Sequence, residues 1–127
     1  GTRISCGCKP FSLLPKIDTS FNNLYSSYMD RSNKKGINFT LTRDEFRKLT
    51  KQNCFYCGIE PKQIINAHCK ISYIYNGLDR INPFLGYTID NVVAACWKCN
   101  QAKKQQTSDE FAEMIKKIYF NFVLKQN

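Results

Sequence analysis

Two cysteine pairs of identical spacing, Cys54-Phe55-Tyr56-Cys57 and Cys96-Trp97-Lys98-Cys99, constrain this chain more than any other feature. Two intervening residues let both thiolates of a pair reach one tetrahedral ion, and two such pairs complete an all-thiolate ligand set. A set of four cysteines leaves no position for water, so the expected zinc is structural, and its binding is part of the folding free energy. The staple joins the start of a central region to its end. In a chain of 127 residues, which suits one domain with a modest core, such a staple carries weight. Three of the seven cysteines remain: Cys6, Cys8 and Cys69. Cys6-Gly7-Cys8, with His68 and Cys69, offers donors for a second metal site or marks the remnant of an upstream cysteine-rich module.

The chain starts Gly1-Thr2-Arg3 without an apolar signal run, and its apolar stretches are too short to span a bilayer. An intracellular, reducing location is therefore expected, where paired cysteines serve metals more often than disulfides. Nineteen Lys and Arg against ten Asp and Glu give a formal charge of +9, which points to a polyanionic partner. Nothing has the form of a polybasic amphipathic anchor, so no membrane partner is expected.

Residues 1–17 read as irregular, with Pro10 and Pro15 as breakers. A helix capped by Asp18 or Thr19 follows, with Phe21, Leu24, Tyr25, Tyr28 and Met29 on its apolar face and Gly36 after its end. Ile37, Phe39 and Leu41 alternate as in a short strand. Thr42-Arg43-Asp44-Glu45 is a capping box opening a helix to about residue 51 that buries Phe46 and Leu49. Cys54 to Gly58 forms a tight knuckle, and residues 59–74 carry no clear pattern. Tyr75–Ile81 and Ile89–Ala95 read as two strands, with a helix from near Trp97 to about Gln105. A second capping box, Thr107-Ser108-Asp109-Glu110, starts a last helix. Its apolar face of Phe111, Ile115, Ile118, Tyr119 and Phe122 is expected in the core.

Between the knuckles stand Asn76-Gly77-Leu78-Asp79-Arg80-Ile81-Asn82, then Gly86-Tyr87, Asp90-Asn91, and Cys99-Asn100 with Lys103. This order resembles the HNH, or ββα-metal, endonuclease family, and looks closest to its phage-type branch. There a C-x-Y-C-G knuckle accompanies an N-G-x-D-R strand. The resemblance covers residues 39–105. It implies that Asp79 on the first strand and Asn100 on the helix converge on a catalytic divalent cation, Mg²⁺ or Mn²⁺, while Asn91 pins the intervening loop. Two oxygen donors suit a hard cation that polarises a scissile phosphate. Asn also pins turns readily by side-chain hydrogen bonds to backbone. Lys98, Lys103 and Lys104 are expected on the DNA backbone.

The chain departs from the family at one place. Typical members carry Asp-His, and the His is the general base; here the pair is Asp79-Arg80. An arginine is a poor base and a good phosphate clamp. Three residues compete for the base. Tyr56 lies in the first knuckle, and the resemblance extends to a rare-cutting restriction type in which Arg and Tyr take over from the His. His68 is the single histidine, with an intrinsic pKa suited to the role. Tyr87 follows Gly86 in the inter-strand loop.

The reading is one α+β domain over residues 1–127, with a ββα-metal core at 54–105 stapled by zinc and flanked by helices. The expected function is divalent-metal-dependent hydrolysis of DNA phosphodiesters, of homing, restriction or phage type, with a phage or viral source among the options. The alternative is a zinc-stapled nucleic-acid-binding module without catalysis. Monomer and homodimer are both open.

Overall fold

The computed structural model describes residues 19–66 and 72–126. Helix α1 (Thr19–Lys34) turns Phe21 and Leu24 into the core, with Tyr25 and Tyr28 packed beside them. It closes with two bonds, Gly36 N–H to Asn33 C=O and Ile37 N–H to Ser32 C=O, while Gly36 adopts φ 69°. This is the left-handed helix terminus that glycine accommodates without a Cβ penalty. Asp18, the other expected cap, lies outside the described residues.

The Thr42 capping box is present in both directions and opens α2 (Arg43–Thr50), which buries Phe46 and Leu49. Phe46 is the hub of the core: the rings of Phe21, Tyr25 and Tyr28 all meet its edge with centroids 5.2–5.8 Å away. Edge-to-face aromatic pairs of this kind add about 0.5–1.5 kcal/mol each beyond their area burial. Residues 37–41 form no strand. Phe39 alone makes an isolated bridge to Tyr87, flanked by Tyr87 N–H to Asn38 C=O and Thr40 N–H to Tyr87 C=O. The alternation there reflects Phe39 and Leu41 packing on the core, with no partner strand to extend the ladder.

Two small antiparallel sheets complete the body. Strands β1 (Gln63–Asn66) and β2 (Ser72–Tyr75) form a hairpin over the segment without a readable pattern. Tyr75 therefore belongs to this hairpin, and the expected strand from Tyr75 shortens to β3 (Gly77–Arg80). Its partner β4 (Val92–Ala95) pairs Asp79 with Val93 and Gly77 with Ala95. Between β2 and β3, Asn76 is fully buried and ties the elements together. Its N–H donates to Thr50 C=O, and its amide Nδ2 to the carbonyls of Gln52 and Ile59.

Helix α3 (Trp97–Lys103) ends two residues short of the expected limit, at Lys104 with φ 51°. Helix α4 (Ser108–Ile118) starts at the second capping box and continues as a π turn, Tyr119–Val123. Here the sequence expectation is corrected. Phe111 is buried, but Ile115, Ile118, Tyr119 and Phe122 are 45–63 % exposed. The helix docks by its first turn, with the Phe111 ring edge-on to Tyr56, and its remaining length runs beyond the body among the described residues.

The candidate metal centre and the cleft above it

The four knuckle cysteines come together. Their sulfurs all lie within 4.8 Å of one another, none is in a disulfide, and Cys57 Sγ is 3.7 Å from Cys96 Sγ. For Zn–S bonds near 2.3 Å, the edge of a thiolate tetrahedron is about 3.8 Å, so the residues fit the ion. Backbone geometry supports charged sulfurs: the amides of Cys57 and Cys99 point at Cys54 Sγ and Cys96 Sγ, each at 3.5 Å. Burial works against the Cys54 thiolate, but the amides of Cys57, Cys96 and Tyr56 outweigh it and bring the thiol down to about 6. Cys99 is pushed up, by burial first and by its sulfur neighbours next. Cys96 doubles as the N-cap of α3, so the cluster fixes where that helix begins. The first knuckle turns at Gly58 (φ 83°) and is held to β4 by Phe55 N–H to Ala94 C=O. Cys6, Cys8, His68 and Cys69, the donors of the expected second site, lie outside the described residues.

Above this staple, β3 is sandwiched. Leu78 packs into the core, and Asp79 faces α3 with 6 % exposure. Two side chains hold its carboxylate. The Tyr56 phenol donates to Oδ2 at 2.7 Å, and the Lys103 ammonium lies 3.1 Å from Oδ2 and 3.2 Å from Oδ1. Ser108, at the first turn of α4, shares a 2.6 Å bond with the same phenol. Burial, then the hydrogen bond to Asp79, push the Tyr56 phenol well above its ordinary value. In this geometry the Tyr56 phenol, one of the three candidates for the base, is a hydrogen-bond donor to Asp79.

Lys103 calls for a correction too. It is fully buried, donates to Asp79 and also to Arg80 C=O at 2.8 Å, and cannot reach a DNA backbone. Lys104, by contrast, is exposed on the cleft wall, while Lys98 is exposed on the knuckle outside the cleft. Asn100 directs Nδ2 toward Leu78 C=O at 3.4 Å, which leaves its Oδ1 without a hydrogen bond among the described residues. Gly77 makes room for this approach: a Cβ there would stand 3.5 Å from Asn100 Nδ2 and 3.0 Å from the Tyr28 hydroxyl.

Asp79 and Asn100 line one open cavity of about 610 Å³. Arg80 and Tyr87 line it as well. The Arg80 guanidinium is anchored through Nη1 to Pro83 C=O (2.8 Å) and Leu85 C=O (3.0 Å) and lies 5.1 Å from the Tyr87 ring centre. Asn91 pins the loop between β3 and β4. Its Oδ1 accepts from Asn82 N–H, and its Nδ2 donates to the carbonyls of Asn82 and Gly86, all at 2.9–3.0 Å. The opposite wall comes from α1 and was not anticipated. Tyr28 and Arg31 face the cavity with Lys35 just past the helix, because the helix read from sequence only as core also carries a basic end. Among the described residues Asp79 is the single acidic lining residue, beside Arg31, Lys35, Arg80 and Lys104.

The search of solved structures returns the rare-cutting HNH restriction endonuclease PacI, with a TM-score of 0.56 over 74 % of this chain and 72 % of that one at 22 % identity. The fold is HNH-like. In this frame the β3–loop–β4–α3 unit is the ββα element, and the four cysteines beside it are positioned to hold a metal such as zinc. No family model matches the sequence. A relative in Acanthamoeba polyphaga mimivirus, an uncharacterized protein, is 37 % identical over 109 residues. The match takes in 84 % of this chain, which spans only 19 % of that protein's length. Among the described residues no helix is long and apolar enough to cross a membrane.

Proposed function

We propose that this chain is a divalent-metal-dependent DNA endonuclease. The observation that carries the reading is that Asp79 on β3 and Asn100 on α3 open into one cation-walled cavity of an HNH-like fold. A carboxylate and an amide oxygen form the hard donor set that suits Mg²⁺ or Mn²⁺. When bound there, such an ion supplies positive charge to the scissile phosphate and to the oxygen that leaves it.

The chain's own residues do the rest. Arg80 spends one nitrogen on the loop carbonyls and keeps the remaining N–H groups for a phosphate oxygen. Tyr87 against its guanidinium and Asn91 under the loop hold that aim. Tyr56 fixes the rotamer of Asp79 through the 2.7 Å bond. Lys104 at the end of α3, with Arg31 from α1 and Lys35 just after it, would hold flanking phosphates on both sides of the cleft. Cys54, Cys57, Cys96 and Cys99 would bind structural Zn²⁺ and keep β4 and α3 in register.

A zinc-stapled nucleic-acid-binding module is the second reading. It is favoured by the Lys103 ammonium, which already balances the charge of Asp79 without any added ion. Plasmid cleavage separates the two. The endonuclease requires Mg²⁺- or Mn²⁺-dependent nicking that falls by roughly 100-fold or more in Asn100→Ala, the scale of a lost transition-state contact. Salt-sensitive DNA binding without cleavage under any divalent ion would establish the binding module instead.

A further inference from the structure

The loop between β3 and β4 carries the most exposed large apolar side chain among the described residues. Phe84 is 84 % exposed, and Leu85 beside it is 56 % exposed. Their exposure does not come from a loose loop. Asn91 binds the backbone at Asn82 and Gly86, Asn82 Oδ1 accepts from Phe84 N–H at 2.9 Å, and Arg80 takes the carbonyls of Pro83 and Leu85. Gly86 lies so close to Asn38 that a Cβ would stand 2.5 Å from its carbonyl oxygen. The backbone is fixed by these bonds and this close approach, and the two apolar side chains are held outward on a stiff support.

Their position gives them a partner. Phe84 and Leu85 line a shallow cavity of about 520 Å³ that shares Lys35, Arg80, Pro83 and Gln105 with the cleft of Asp79 and Asn100. A strand with one phosphate at Arg80 would pass directly from that cleft onto these two side chains. Lysine and arginine beside an outward aromatic is the chemistry of a nucleic-acid surface, where the cations take phosphates and the apolar groups meet base faces.

We infer that Phe84 and Leu85 form a rigid wedge that contacts the bases next to the phosphate held at Arg80. The inference rests on the proposed DNA substrate and deepens it. It makes the inter-strand loop a base-contacting element as well as the support of Arg80, with apolar stacking that tolerates many sequences.

The test measures binding of the zinc-loaded chain to a duplex and to a single strand, without added Mg²⁺ so that the DNA stays whole. A 2-aminopurine in the strand reports unstacking. Phe84→Ala/Leu85→Ala is expected to weaken binding about tenfold, the scale of one lost base stack, and to abolish any 2-aminopurine signal. The salt dependence should stay unchanged in that variant, because no phosphate contact is lost. Lys35→Ala should instead lower the slope of log K against log salt by about one. Phe84→Trp should restore binding. Loss of affinity for only one of the two DNA forms identifies which form the wedge meets. Wild-type binding retained in the double variant, or its conversion from dimer to monomer on size exclusion, would overturn the wedge while leaving the nuclease reading standing. A wild-type chain that binds no DNA would overturn both.

Discussion

The Lys103 ammonium sits 3.1 and 3.2 Å from the two carboxylate oxygens of Asp79, with no solvent exposure on its own side chain. Its remaining hydrogen bond goes to Arg80 C=O. One helix residue therefore locks both the carboxylate and the backbone of the strand that presents it. Buried ion pairs gain little over an apolar core, but removing one partner strands the other's charge.

Lys103→Met is accordingly expected to lower stability by about 3 kcal/mol, in the range for breaking a buried pair. The double variant Asp79→Asn/Lys103→Met should recover part of the loss. Urea unfolding of the single and double variants checks this; a single-variant loss within experimental error would show that the pair does not form in solution.

Zinc removal should act on the fold. Cys96 caps α3 and the first knuckle bonds β4 through Phe55 N–H, so zinc bound by the four cysteines would contribute folding energy outright. Cys99→Ser or a strong chelator is expected to abolish the cooperative melt followed by circular dichroism, and zinc analysis should give one ion per chain from these four residues. An unchanged melt in the chelated protein would mean the cluster is not a staple.

Alkaline pH should destabilise the chain through Tyr28. Burial raises its phenol to about 12, against the help of its bond from Leu78 N–H. The folded pKa lies above the unfolded one, so the full contribution is present below pH 10 and is lost as pH rises through about 12. Urea midpoints measured from pH 9 to 12 should fall along this window, and less steeply in Tyr28→Phe. Equal slopes in the two proteins would contradict the assignment.

Features with local signatures were legible in the sequence. Thiolate spacing, the two Thr–Glu capping boxes and Gly36 each depend on neighbours a few residues away, and each is found in place. The β1–β2 hairpin was not legible, because its apolar residues do not follow one face. Ile64 and Ile74 are directly paired across it, yet they are 58 % and 44 % exposed, while Tyr73, next to Ile74 and opposite Ile65, turns inward. The outer face of α4 misled for the opposite reason: its helical period is real, but past Phe111 and the half-buried Met114 its apolar side chains Ile115, Ile118, Tyr119 and Phe122 stay exposed. The sequence points Lys103 to the DNA backbone, since a lysine is buried only when a distant carboxylate meets it, and Asp79 arrives from another element. Ser108 was read as part of a cap, and its bond to Tyr56 spans 52 residues. Asn100 at least hinted at Lys103, which lies one helical turn further along the same face of α3.

The most direct measurement is cleavage of supercoiled plasmid by the zinc-loaded chain with Mg²⁺ or Mn²⁺, beside Asp79→Ala and a reaction without divalent ion. Zinc content and the folded signal of each protein are measured in parallel. The account predicts metal-dependent nicking by the wild type and its loss in Asp79→Ala at unchanged zinc content. Nicking that persists in the zinc-loaded, folded Asp79→Ala protein would contradict the place of Asp79 at the centre of the reaction.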